Sequence, residues 1–81
     1  MITSEQVRAA RALLRWEQAD LARASGVSLP SVKRIEGKTG PLAAQRGTVE
    51  AIRRAFEAAG IVFLAAGEPA PGGGIGVRMA A

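Results

Sequence analysis

The side chains able to do chemistry in this chain of 81 residues are mostly cations. Eleven basic residues, nine of them arginine, stand against seven acidic ones, for a net charge of +4. Lys33 and Arg34 sit side by side, and Lys38 and Arg46 follow within a short stretch. Guanidinium and ammonium groups in that density bind anions, and a polyanion such as nucleic acid is the first partner to consider. A charge of this size also serves plain solubility. The chain has neither cysteine nor histidine, which excludes a disulfide framework, thiolate chemistry, a Cys/His zinc site and a histidine general base. Glu5, Glu17, Asp20, Glu36, Glu50, Glu57 and Glu68 are scattered, with the helical ones expected on separate faces. They predict no acid–base pair and no metal cluster, so no enzyme and no cofactor is expected. The glycines of PGGGIG (71–76) lack the phosphate-loop pattern and read as a hinge or bulge.

The elements that must carry these cations are short. Thr3 with Gln6 three residues on is a capping box, and Val7, Ala10, Leu13 and Leu14 recur at helical spacing, predicting a helix over 4–14. A second helix is predicted over 17–25, with Glu17 and Asp20 in its first turn and Arg23 near its last, the order the helix dipole favours. Gly26 ends it in a left-handed conformation, Val27 plugs the corner, and Ser28 caps a third helix whose first turn admits Pro30. That helix runs over about 29–36, with Val32 and Ile35 inward and Ser31, Lys33 and Arg34 outward, until Gly37. Thr48 is the expected cap of a fourth helix over 48–59, with Val49, Ile52 and Phe56 on its buried stripe and Gly60 as terminator. Trp16, between the first two helices, reads as a core residue rather than a base-stacking platform.

The tail changes character. IVFLA (61–65) and IGVRM (75–79) read as strands, and a lone two-stranded hairpin is marginal in water. With no intrachain partner expected to cover them, Ile61, Val62, Phe63, Leu64, Ile75, Val77 and Met79 are the candidate contacts of a homodimer. The chain divides into a helical domain over 1–60 and a dimerisation extension over 61–81. No apolar run approaches the ~20 residues of a membrane span, and the N-terminus lacks an apolar signal core. The expected location is therefore the cytoplasm, on the nucleoid.

The stretch Gln18–Gly37 resembles the lambda-repressor/Cro-like (XRE) helix-turn-helix family. The likeness rests on Gln18, Leu21-Ala22, Gly26-Val27-Ser28, Val32 and Ile35-Glu36-Gly37, whose sizes and spacing suit two helices crossing at a tight turn. It implies a mainly α fold: a four-helix DNA-binding domain, followed here by a short C-terminal β-hairpin or strand pair. It implies a structural ion pair between Arg11 and Glu36, and a phosphate contact by Gln18. With the third helix in the major groove, Ser28, Leu29, Pro30, Ser31 and Arg34 lie at base edges, and Arg34 is suited to guanine. Leu29 and Pro30 are a departure from members with glutamines there; they can only touch a thymine methyl or exclude a wrong base. Lys33, Lys38, Thr39 and Arg46 are further phosphate candidates, setting affinity and register without reading sequence.

The function so implied is a homodimeric repressor that binds an inverted repeat in double-stranded DNA. Two other readings stay open. One is an antitoxin or adaptor whose main partner is a second protein. The other is a nucleoid-type protein that binds DNA without sequence choice.

Overall fold

Thr3 opens the first helix with reciprocal bonds: its Oγ1 accepts from the Gln6 backbone N–H (3.2 Å), and Gln6 Oε1 accepts from the Thr3 N–H (2.9 Å). The computed structural model describes residues 2–64 and 76–79. Over them run α1 (Ser4–Leu14), α2 (Gln18–Ser25), α3 (Leu29–Glu36), α4 (Arg46–Ala58), β1 (Ile61–Leu64) and β2 (Gly76–Met79). The described residues are mainly helical, with four helices and one two-stranded antiparallel hairpin.

Local chemistry accounts for most of the boundaries. Arg15 closes α1 in the left-handed region at φ 56°, an unusual place for a side chain larger than asparagine. The Glu17 N–H, at the N-cap of α2, donates to Asp20 Oδ2 (2.8 Å). Gly26 turns left-handed at φ 77° and donates to the Ala22 carbonyl (2.9 Å), which stops α2. Ser28 then starts α3 by accepting from the Ser31 N–H (3.3 Å), and Pro30 occupies the first turn, where a missing N–H costs no helical bond.

One boundary differs from expectation by more than a residue. The fourth helix begins at Arg46 rather than Thr48: the chain is extended at Gln45 (ψ 155°), and Val49 N–H already bonds the Gln45 carbonyl (3.0 Å). Thr48 is therefore the third residue of α4 rather than its cap. The strands span Ile61–Leu64 and Gly76–Met79, so Ala65 and Ile75 lie outside the described residues.

One core holds everything together. Val7 and Ala10 of α1, Leu21 of α2, Val32 and Ile35 of α3, Ile52 and Phe56 of α4 and Ile61 of β1 are buried in a single cluster, with Ile2 and Leu42 closing one side. Each large aliphatic or aromatic member contributes about 1.5–3 kcal/mol by leaving water. Trp16 stacks on Phe56 (centroids 5.6 Å apart), and Phe63 meets Phe56 edge-on (5.8 Å), so an aromatic row links the α1–α2 corner to the hairpin. Leu13 is a correction to the expected core: it is 46% exposed. Val7, Ala10 and Leu14 form the inward line of α1, and Leu13 lies outside it.

The hairpin is also not the uncovered pair that the sequence suggests. β1 and β2 pair with each other, Ile61 opposite Met79 and Phe63 opposite Val77. Ile61 and Leu64 are buried, and Phe63 and Val77 pack against the helical core. The Gln6 side-chain amide donates to the Leu64 and Gly76 carbonyls, both at 3.0 Å, and so ties both strands to α1.

Candidate nucleic-acid interface

The site is built on α3, a helix of only two turns that needs support from its neighbours. Val32 and Ile35 bury its inner side. Its C-terminal end carries Glu36, whose carboxylate is 4% exposed and meets the Arg11 guanidinium twice: Nε to Oε2 and Nη2 to Oε1, each 2.7 Å. That two-point fork is the strong form of the arginine–carboxylate pair. Hydrogen bonding to Glu36 holds the Arg11 guanidinium above its ordinary range, so it stays charged. Arg11 Nη1 also donates to the Trp16 carbonyl (2.9 Å), bringing the α1–α2 corner into the same network.

Gln18 belongs to this network too. Its amide donates to Glu36 Oε1 at 3.2 Å, which commits one of its two N–H groups inward. Arg8 Nη1 donates to the Glu36 carbonyl (2.7 Å), and buried Ser4 Oγ donates to the Ile35 carbonyl (2.9 Å). Sequence reasoning misses Ser4 and Arg8. The available signal is their spacing with Arg11 at i, i+4 and i+7, one polar line down α1.

On the outer side of α3, Pro30, Lys33 and Arg34 are exposed, while Leu29 and Ser31 are half-buried. Ser28, exposed at the cap, donates its hydroxyl to Ser31 Oγ (2.9 Å). Arg34 Nη1 donates to the Ala43 carbonyl at 3.2 Å, which lays the guanidinium along the loop leading to α4. Lys38 and Thr39 are exposed in that loop, and Arg46 is exposed as the first residue of α4. A cleft of about 470 Å³ opens between the α2–α3 turn and the start of α4. Ser28, Ser31 and Arg34 line one wall, and Gln45, Gly47 and Thr48 the other. No side chain caps the first turn of α4, so its N–H groups face this opening uncapped.

The charge distribution follows this geometry. From Lys33 to Arg46 the chain carries four exposed cations, Lys33, Arg34, Lys38 and Arg46, for a segment charge of +3 once Glu36 is counted. The single carboxylate between Lys33 and Arg46 is Glu36, buried under Arg11. Glu5 reaches the loop from α1, accepting from the Gly40 N–H (3.1 Å); its own backbone N–H and that of Gly40 hold its carboxyl below the ordinary range. On α4, Glu50 and Glu57 share a face rather than standing apart, since Arg53 bonds both. Among the described residues no group of three or more acidic side chains is arranged to hold a metal ion.

The residues expected at a dimer contact are divided by the fold. Ile61 and Leu64 are buried, Val62, Phe63 and Val77 are half-buried, and Met79 is 44% exposed. Ile75 lies outside the described residues. Among the described residues no helix is long and apolar enough to cross a membrane. No protein-family model matches this chain, and no curated protein matches it significantly.

Proposed function

We propose that this chain is a sequence-specific, DNA-binding transcriptional regulator of the lambda-repressor/Cro-like helix-turn-helix type, acting as a homodimeric repressor. The observation that carries the reading is electrostatic. Four exposed cations, Lys33, Arg34, Lys38 and Arg46, lie on the outer side of α3, in the loop after it and at the first residue of α4, and the one carboxylate within that segment, Glu36, is buried in an ion pair. A protein surface so arranged attracts the phosphate backbone, with a strength that falls steeply with salt.

In this reading α3 enters the major groove. Arg34 leaves the Ala43 carbonyl to place its fork on guanine, and Ser28 and Ser31 offer hydroxyls to either base partner. Leu29 and Pro30 supply apolar contact. Lys33, Lys38, Thr39, Arg46 and the free N–H of Gln18 hold phosphates, and the uncapped first turn of α4 supports one more backbone contact. A module of this size needs a second copy to read two half-sites about 34 Å apart. The core uses Ile61, Leu64, Phe63 and Val77, so the copy would meet the outer side of the hairpin, where Met79 at the end of β2 is exposed.

Selection of binding sites from random duplexes tests the function. An enriched inverted repeat is the expected result. No enrichment, together with no shift of any duplex at low salt, rejects it and favours an adaptor whose partner is a protein. For the dimer, sedimentation of Met79→Glu is expected to show a monomer with an unchanged helical spectrum.

A further inference from the structure

We propose that Arg8 is a positioning residue for α3: it holds the helix end from α1, sets the seat of the outward side chains, and touches no DNA itself. The inference rests on the DNA-binding reading and adds a residue to it. A helix leaves its last four carbonyls without helical partners, and a left-handed glycine commonly closes them. α3 lacks that device. Gly37 is right-handed at φ −74°, and its N–H reaches only the Lys33 carbonyl (3.0 Å).

The carbonyls of Ile35 and Glu36 are satisfied from another element. Ser4 Oγ takes Ile35 and Arg8 Nη1 takes Glu36, at 2.9 and 2.7 Å, while Arg11, one turn further along the same line, takes the Glu36 side chain. Arg8 is the member that joins a positive charge directly to the backbone end of α3, where the helix dipole is negative. Its bond is short and charge-assisted, the class whose loss is most felt. Losing it leaves the last turn tied by Ser4 at the Ile35 carbonyl and by Arg11 at the Glu36 side chain, with the final carbonyl free, so the Glu36 end of α3 can shift about those two ties. Arg34 and Ser31, within a turn and a half of that end, then lose their fixed height in the groove.

The test uses the full chain with Arg8→Ala and Arg8→Lys, a duplex selected by the wild type, and a scrambled duplex of equal length. Arg8→Ala is expected to lose about tenfold in the specific-over-scrambled affinity ratio, the size of one such hydrogen bond. Its salt slope stays as in the wild type, and amides Val32–Gly37 exchange faster while those of α4 do not change. Arg8→Lys, which keeps a charged donor, recovers most of the ratio. A salt slope reduced by about 0.9 means that Arg8 neutralises a phosphate, and it overturns the proposal, as does an unchanged ratio or unchanged α3 exchange. Should Arg8→Ala not fold, Arg8→Gln carries the same comparison. If the wild type selects no duplex, the DNA reading falls. Exchange then decides alone: faster α3 amides uphold the seat, and unchanged ones overturn it.

Discussion

Arg11 and Glu36 stand 25 residues apart in sequence and meet through two bonds of 2.7 Å, with the carboxylate almost wholly shut off from water. Removing one partner leaves a buried, unpaired charge, which costs about 3–5 kcal/mol. Arg11→Met is therefore expected to lower stability by that amount in urea unfolding. The double variant Arg11→Met, Glu36→Leu is expected to regain most of it, since apolar pairs of similar volume replace buried ion pairs at little cost. A double variant no more stable than Arg11→Met would show that the pair is not what holds α3 to α1.

The Gln6 side chain makes four bonds while 4% exposed: it accepts from the Thr3 N–H and hydroxyl and donates to the carbonyls of Leu64 and Gly76. Gln6→Leu keeps the bulk and leaves those groups unpaired, at about 1–3 kcal/mol. Amide exchange is expected to quicken first in β1 and β2, before α2 or α3. Equal loosening of every element would contradict a local tie.

Arg34 and Lys33 are neighbours with different tasks in the proposed complex. Arg34→Ala is expected to cost about 1–3 kcal/mol of discrimination at one base position and to relax the preference there. Lys33→Ala should weaken all duplexes alike and reduce the salt slope by about 0.9. Salt-dependent titrations of a selected and a scrambled duplex read both. The assignments fail if the two variants behave alike.

Glu5 makes acid stability partly legible. Its carboxyl is lowered from an ordinary value of 4.5, first by its own backbone N–H and then by that of Gly40. A carboxyl lowered on folding stabilises above its unfolded value and loses that contribution as pH falls through the folded one. The melting temperatures of wild type and Glu5→Gln are expected to differ at neutral pH and to converge as pH falls below 4.5 and through the lowered folded value. A gap that persists undiminished at lower pH rules the carboxylate out as its source.

Arg15 closes α1 at φ 56°, where a Cβ crowds the following carbonyl by roughly 1–2 kcal/mol. Arg15→Gly relieves that and pays part back in unfolded-state entropy, leaving a net gain of about 0.5 kcal/mol. A rise in denaturation midpoint without a change in slope would show it, whereas a fall would mean that the arginine side chain contributes more than its backbone costs.

Helix starts and stops are local chemistry, and they can be read from neighbouring letters. The Thr3–Gln6 box, the Gly26 turn, and the Ser28 cap with Pro30 behind it each satisfy or remove backbone groups within four residues. The apolar stripes of α1, α3 and α4 follow from the same short period. The Arg11–Glu36 pair lies beyond that range; a family resemblance implies it, and spacing alone does not. The start of α4 escapes for a related reason. Thr48 looks the better cap, but the backbone enters extended at Gln45, after Leu42 has already been buried in the core. Only the tertiary structure decides that Leu13 faces water, that the hairpin lies against α1 and α4, and that Gln6, Ser4, Arg8 and Gln18 turn toward carbonyls and a carboxylate 18 to 70 residues away. Those contacts depend on how whole elements meet, and a polar side chain carries no local mark of the distant group it will satisfy.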